Sequence, residues 1–134
     1  MATKVLDSWA LMAYFNGEPA GPAVKNILVK AETGAPELLL CVVNWGEIYY
    51  SVLRGGSSGR ADLIAREIAG MPIEIVPVEA DLELVRQAAI YKAGGGLAYA
   101  DCFAAALAKI RNAELLTGDR EFKALEKEIK IGWL

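Results

Sequence analysis

Short runs of consecutive apolar residues alternate along this chain with longer stretches whose apolar positions recur every three or four residues. The first pattern marks strands covered on both faces, and the second marks helices with one buried side. The short runs are Thr3 to Leu6, Leu38 to Val43, Ile73 to Val76 and Leu115 to Thr117, with Ile129 to Trp133 a possible edge strand. Between them, Ser8 to Phe15, Pro22 to Glu32, Trp45 to Leu53, Arg60 to Ala69, Glu79 to Lys92, Ala100 to Asn112 and Glu121 to Glu128 read as helices. Asn44 is a good N-cap for the helix from Trp45. The helix from Ser8 is apolar nearly all round, which predicts cover on both sides. Strands alternating with helices imply βαβ units, a parallel sheet and right-handed crossovers. The predicted class is therefore α/β, three layers around a central parallel sheet of four to five short strands. The whole of residues 1–134 forms one domain in this reading.

Acidic residues stand where strand-like runs give way to helix-like ones. Asp7 and Asp119 directly follow two strands, Glu47 lies in the first turn of the helix after the second, and Asp101 opens a helix reached through Gly94-Gly95-Gly96. Wound sheets place ligands beyond the carboxyl ends of their strands, so the four carboxylates meet on one rim. Taken singly, Asp7 and Asp119 could cap helices, and Glu47 and Asp101 could meet a helix dipole. Taken jointly, their placement on a single rim favours a site. Gathering four carboxylates raises the cost of ionising each, unless a cation compensates. An oxygen-only donor set suits Mg²⁺ or Mn²⁺. Glu121, two residues after Asp119, is a weaker candidate.

Composition narrows the chemistry. The chain contains no histidine, which removes Ser-His-Asp and Cys-His catalysis and histidine-based zinc sites. A net charge of −3 argues against binding nucleic acid through a global basic surface, though not through a local basic rim around a metal. The hydrophobic fraction is 54%, which suggests a deeply buried sheet plus a partner interface. No stretch approaches the ~20 apolar residues of a membrane span. Met1 to Asp7 reads directly into a strand without a signal-peptide pattern. Cys41 and Cys102 lie in apolar segments outside any CxxC pair, and read as reduced thiols of a cytoplasmic protein.

Four local contexts carry a resemblance. They are Val5-Leu6-Asp7-Ser8, Asn44-Trp45-Gly46-Glu47, Ala100-Asp101-Cys102-Phe103 and Leu115-Leu116-Thr117-Gly118-Asp119-Arg120-Glu121-Phe122. In this order and spacing they resemble the motifs of the PIN-domain family, and within it the VapC-type toxin ribonucleases. The resemblance spans essentially the whole chain. It implies a PIN-like fold and a Mg²⁺- or Mn²⁺-dependent endoribonuclease acting on RNA, often a homodimer held inactive by a cognate antitoxin. Asp7, Glu47, Asp101 and Asp119 would be the catalytic quartet. Asp7, Asp101 and Asp119 would hold the metal, with Glu47 direct or through water. Ser8, Thr117 and Glu121 would support them. Where Glu121 stands, relatives often carry a second Asp.

Other features admit two readings each. Arg54, Arg60, Lys92, Arg120 and Lys123 could contact RNA phosphates or simply keep the surface soluble. Gly55 to Gly59 could hinge two helices around a partner helix, or be a plain loop. Trp45, Tyr49 and Tyr50 read as core, with an antitoxin groove or dimer surface as the alternative. Trp9, beside Asp7, reads as core or interface, with stacking on a base the sharper alternative. A PIN-like RNA-processing nuclease, a catalytically silent binding module and a receiver-like signalling domain are the rival functions.

Overall fold

A computed structural model describes residues 2–134, and Met1 lies outside them. The chain runs β1 (Thr3–Leu6), α1 (Ser8–Phe15), α2 (Gly21–Ala31), β2 (Glu37–Cys41), α3 (Val42–Arg54), α4 (Ser58–Ala69), β3 (Ile73–Val76), α5 (Glu83–Ala93), α6 (Tyr99–Ile110) and β4 (Glu114–Thr117). A 3-10 helix (Arg120–Leu125) and β5 (Ile131–Trp133) complete it. The five strands form one parallel sheet in the order β3-β2-β1-β4-β5.

Strand alternation explains why the central strands are apolar without break. Leu39, Cys41, Val5 and Leu115 point into one core, and Leu38, Leu40, Leu6 and Leu116 into another on the opposite face. α5 and α6 close the first core, while α1, α2, α3 and α4 close the second. The result is the three-layer α/β/α arrangement expected from the sequence. The chain builds outward from β1 through β2 to β3, then returns to the other side of β1 for β4. That reversal puts a topological switch point between β1 and β4. A receiver-like domain has the strand order 2-1-3-4-5 instead, so the sheet order rules that rival out.

Several boundaries differ from the sequence expectation, each for a local reason. The run Leu38 to Val43 divides: Cys41 ends β2, and Val42 and Val43 already belong to α3. A junction without a loop defeats periodicity, because an apolar run fits a buried strand or a buried helix start equally well. Asn44 is consequently inside α3 and fully buried rather than capping it. Leu82 sits at φ 68, so α5 starts at Glu83 and not Glu79. The expected last α-helix is a 3-10 turn. Helix α1 is covered over most of its circumference, with Ala10, Leu11 and Ala13 buried, Met12, Tyr14 and Phe15 packed partly buried against the core, and Trp9 its one exposed position.

Phe122 anchors the 3-10 segment, its ring wholly buried in the core against α5 and α6. Phe122→Ala should cost about 3–5 kcal/mol, read as a lowered midpoint in urea unfolding at unchanged m.

Candidate metal centre

The switch point fixes the first two carboxylates. Asp7 follows β1 and Asp119 follows β4, and these strands are hydrogen-bonded neighbours in parallel register. Asp7 is 1% exposed and serves as N-cap of α1, its Oδ1 accepting the Ala10 amide at 2.8 Å. Asp119 caps the 3-10 helix in the same way, Oδ1 accepting the Glu121 amide at 3.0 Å. For Asp119 the cap engages Oδ1 alone, so capping and site membership are compatible there.

Thr117 joins the pair. Its buried hydroxyl donates to Asp7 Oδ2 at 2.5 Å and accepts the Asp119 amide at 3.0 Å. One side chain thus sets the position of both strand-end acids.

Asp101 comes from the other layer. It lies in the first turn of α6, where a carboxylate complements the helix dipole. The loop before it turns through Gly95 and Gly96 at φ 81 and 89, values costly for any residue with a Cβ. Lys92 Nζ donates to the Leu97 carbonyl at 2.8 Å, tying that loop back to α5. Asn44 Nδ2 donates to the Ala100 carbonyl at 3.0 Å, which clamps α3 to the turn carrying Asp101. The Asn44 Oδ1 is buried without a hydrogen-bond partner among the described residues. This clamp was not legible in the sequence, where Asn44 reads as a cap.

One carboxylate oxygen each from Asp101, Asp119 and Glu121 lie within 4.8 Å of one another. Glu121, the weaker candidate, thus stands in the tightest part of the cluster; the 3-10 turn presents residues 119 and 121 together. Glu47, in the second turn of α3 because that helix starts at Val42, accepts the Ser8 hydroxyl at 2.5 Å. Asp101 is the acid that the others bear on most. Burial first, then Glu47, Asp119 and Glu121, raise Asp101 to about 7. Burial likewise raises Asp7 to about 7, opposed by its Thr117 and Ala10 hydrogen bonds and reinforced by Asp101 and Asp119. The donor set is carboxylate oxygen throughout, which fits a hard divalent cation and disfavours zinc.

The flanking groups are mostly engaged elsewhere. Arg60 binds the Phe15 carbonyl and Asn16 Oδ1, and Arg120 lies 4.6 Å from the Trp133 ring centroid. Trp45 stacks on Tyr49 at 5.3 Å, and Tyr49 donates to Asp62 of α4, so the glycine-rich turn joins two packed helices. Tyr50 is exposed. Cys41 and Cys102 are buried and unbridged. No helix among the described residues is long and apolar enough to cross a membrane.

Two outcomes follow from this geometry. Thr117→Val keeps the shape but strips the acceptor Asp7 and the Asp119 amide of their link; about 1–3 kcal/mol should be lost in urea unfolding. The raised carboxyls bind protons more tightly in the fold than in the unfolded chain, where 3.8 applies. The contribution of these two groups to stability without metal is therefore greatest below about pH 4 and falls as pH climbs to about 7. The slope is about 1.4 kcal/mol per pH unit for each group in that window. Thermal melts in EDTA at pH 5 and pH 8 should show a smaller drop in Asp7→Asn and Asp101→Asn; equal drops in all three proteins contradict the assignment.

A search among curated proteins finds no matching sequence. The fold is similar to solved toxin–antitoxin proteins at low identity. VapBC2 from Rickettsia felis, bound to a promoter DNA fragment, aligns with a TM-score of 0.73 at 15% identity over 97% of each chain. VapC20 from Mycobacterium tuberculosis, a toxin that cleaves the sarcin–ricin loop, aligns at 0.68 and 16% over 90% of this chain and 93% of that one. VapBC-5 from the same organism aligns at 0.64 and 20% over 100% and 98%. The sequence itself matches the PIN domain over residues 4–128. With that match spanning nearly the whole chain, the protein belongs to the PIN domain family.

Proposed function

We propose that this protein is a metal-dependent endoribonuclease, a single nuclease domain acting as the toxin of a VapBC-type pair and neutralised by a cognate antitoxin. The observation carrying this reading is the convergence of five carboxylates on the switch-point rim, two of them raised to about 7 by burial and mutual repulsion. Structural likeness to VapC20 and to VapBC assemblies supports the choice of RNA and of an antitoxin.

Asp101, Asp119 and Glu121 would hold Mg²⁺ or Mn²⁺, with Asp7, whose carboxyl feels Asp101 and Asp119, as a further ligand. When bound, such an ion polarises the phosphate, acidifies water and neutralises the departing oxygen. The protein's own side chains do the rest. Thr117 and the Ala10 amide hold Asp7 still, so its carboxylate need not reorganise during reaction. Glu47, steadied by Ser8, is placed near Asp101 to orient a water for attack on phosphorus or to take its proton. Uncompensated, the same acids would repel a phosphodiester, so activity requires the cation. A homodimer, as the resemblance implies, in the cytoplasm, as the unbridged thiols suggest, is part of this reading.

Single-stranded RNA should be cleaved with Mg²⁺ or Mn²⁺, and EDTA should abolish the cleavage. Asp7→Asn and Asp101→Asn should each lower the rate at least about a hundredfold, followed on a labelled RNA by gel. Glu121→Gln should raise the metal concentration needed for half-maximal rate about tenfold. Cleavage that survives chelation, or that both Asn variants retain, overturns the assignment. A wild type that binds metal yet cleaves no RNA is instead the silent binding module. A small protein encoded immediately upstream should suppress the activity; without such suppression, a PIN-like RNA-processing nuclease is the better description.

A further inference from the structure

We infer that the indole of Trp9 is a stacking platform for a nucleobase of the RNA substrate, seated directly beside the acidic rim. The inference rests on the nuclease reading above and specifies how that site grips its substrate. Trp9 lies in the first turn of α1, whose N-cap is Asp7, so its position relative to the site is set by the hydrogen bond that the Ala10 amide donates to Asp7. Unlike its buried neighbours Ala10 and Leu11, it is 36% exposed.

Gly118, between Thr117 and Asp119, reveals the ring's orientation. A Cβ built there would fall 2.1 Å from Cη2 of Trp9 and 2.5 Å from both Cζ2 and Cζ3. A point beyond the ring edge would lie markedly farther from the two flanking carbons than from Cη2. Nearly equal distances place the point above the ring face. The six-membered ring therefore lies face-down on the Gly118 backbone, pinned to the loop that carries Asp119. Any side chain at Gly118 would displace it. An aromatic ring held flat by one face against the backbone of an active-site loop leaves its remaining surface as a rigid, preordered apolar area.

That area adjoins a cleft of about 150 Å³, lined by Trp9 with Met12, Ala13, Asn16 and Glu18. The charge balance supplies the need for it. The chain carries a net charge of −3, and two of its cations are engaged: Arg60 with Phe15 and Asn16, Arg120 with Trp133. With these two guanidinium groups drawn into the protein's own contacts, stacking on a base adds to the phosphate contacts that remain. Stacking on an indole does this without demanding a particular sequence.

The test is steady-state cleavage of one oligoribonucleotide and a set of copies, each abasic at one position flanking the scissile bond. Trp9→Leu should raise KM about 5- to 150-fold, with kcat affected far less, and Trp9→Phe should recover most of the loss. For wild type, one abasic position should carry a penalty of similar size; for Trp9→Leu that position should carry none. Gly118→Ala, which leaves Trp9 in place but lifts its ring, should lose the same abasic penalty. A wild type that cleaves with a flat abasic profile overturns stacking while leaving the nuclease reading intact. An abasic penalty unchanged in Trp9→Leu overturns it too, and if that variant also loses its antitoxin, Trp9 belongs to a protein interface. A wild type that cleaves no RNA with any divalent cation overturns both readings together.

Discussion

Like charge gathered in low dielectric is the constraint around which the rest of this protein is arranged. Asp7 and Asp101 are 1% and 8% exposed, yet they share a rim with Glu47, Asp119 and Glu121. Burial alone would hold a carboxyl neutral, and neighbouring carboxylates push the same way. The fold answers with fixed dipoles: the Thr117 hydroxyl and Ala10 amide on Asp7, the Glu121 amide on Asp119, the first turn of α6 around Asp101. These offset part of the cost. The remainder raises the two most buried acids to about 7.

Holding repelling groups together requires elements that cannot drift apart. The strands behind Asp7 and Asp119 are the two at the centre of the switch, and Val5, Leu6 and Leu115 are wholly buried. At the far end of the same strand pair, Lys4 meets Glu114 at 2.6 Å, which fixes register where the acids cannot contribute. Helix α6, with Ala104, Ala105 and Ala106 fully buried, packs close enough to the sheet for its first turn to reach the rim. Small side chains there are what bring Asp101 within range. Asn44 then clamps that turn from α3, the helix that also carries Glu47. Each acid is thus positioned by a different element, but every element is braced against another that carries an acid.

The strand–helix alternation and the central parallel sheet were legible in the residues, because buried strands and helix starts have local signatures. Asp7, Asp101 and Asp119 also announce themselves as strand-end or helix-start residues, which a single sequence displays directly. What failed were boundaries where two elements touch without a loop. At Cys41-Val42 the apolar run carries no stop signal, so Asn44 looked like a cap although it lies inside a helix. At Leu82 a left-handed backbone in a non-glycine residue gave no warning of the late start of α5.

The residue order determined which acids exist and that they fall at ends of elements, since those depend on hydrophobic period and on turn residues alone. Only the tertiary structure decided their ranking. Glu121 moved from the margin to the heart of the cluster because a 3-10 turn, rather than an α-helix, follows Asp119. Trp9, apolar and in an apolar helix, could not be told from core until its ring was found lying on Gly118, 109 residues away along the chain. Which atoms of distant segments share a few ångströms is set by packing across the sheet, and no local pattern encodes it.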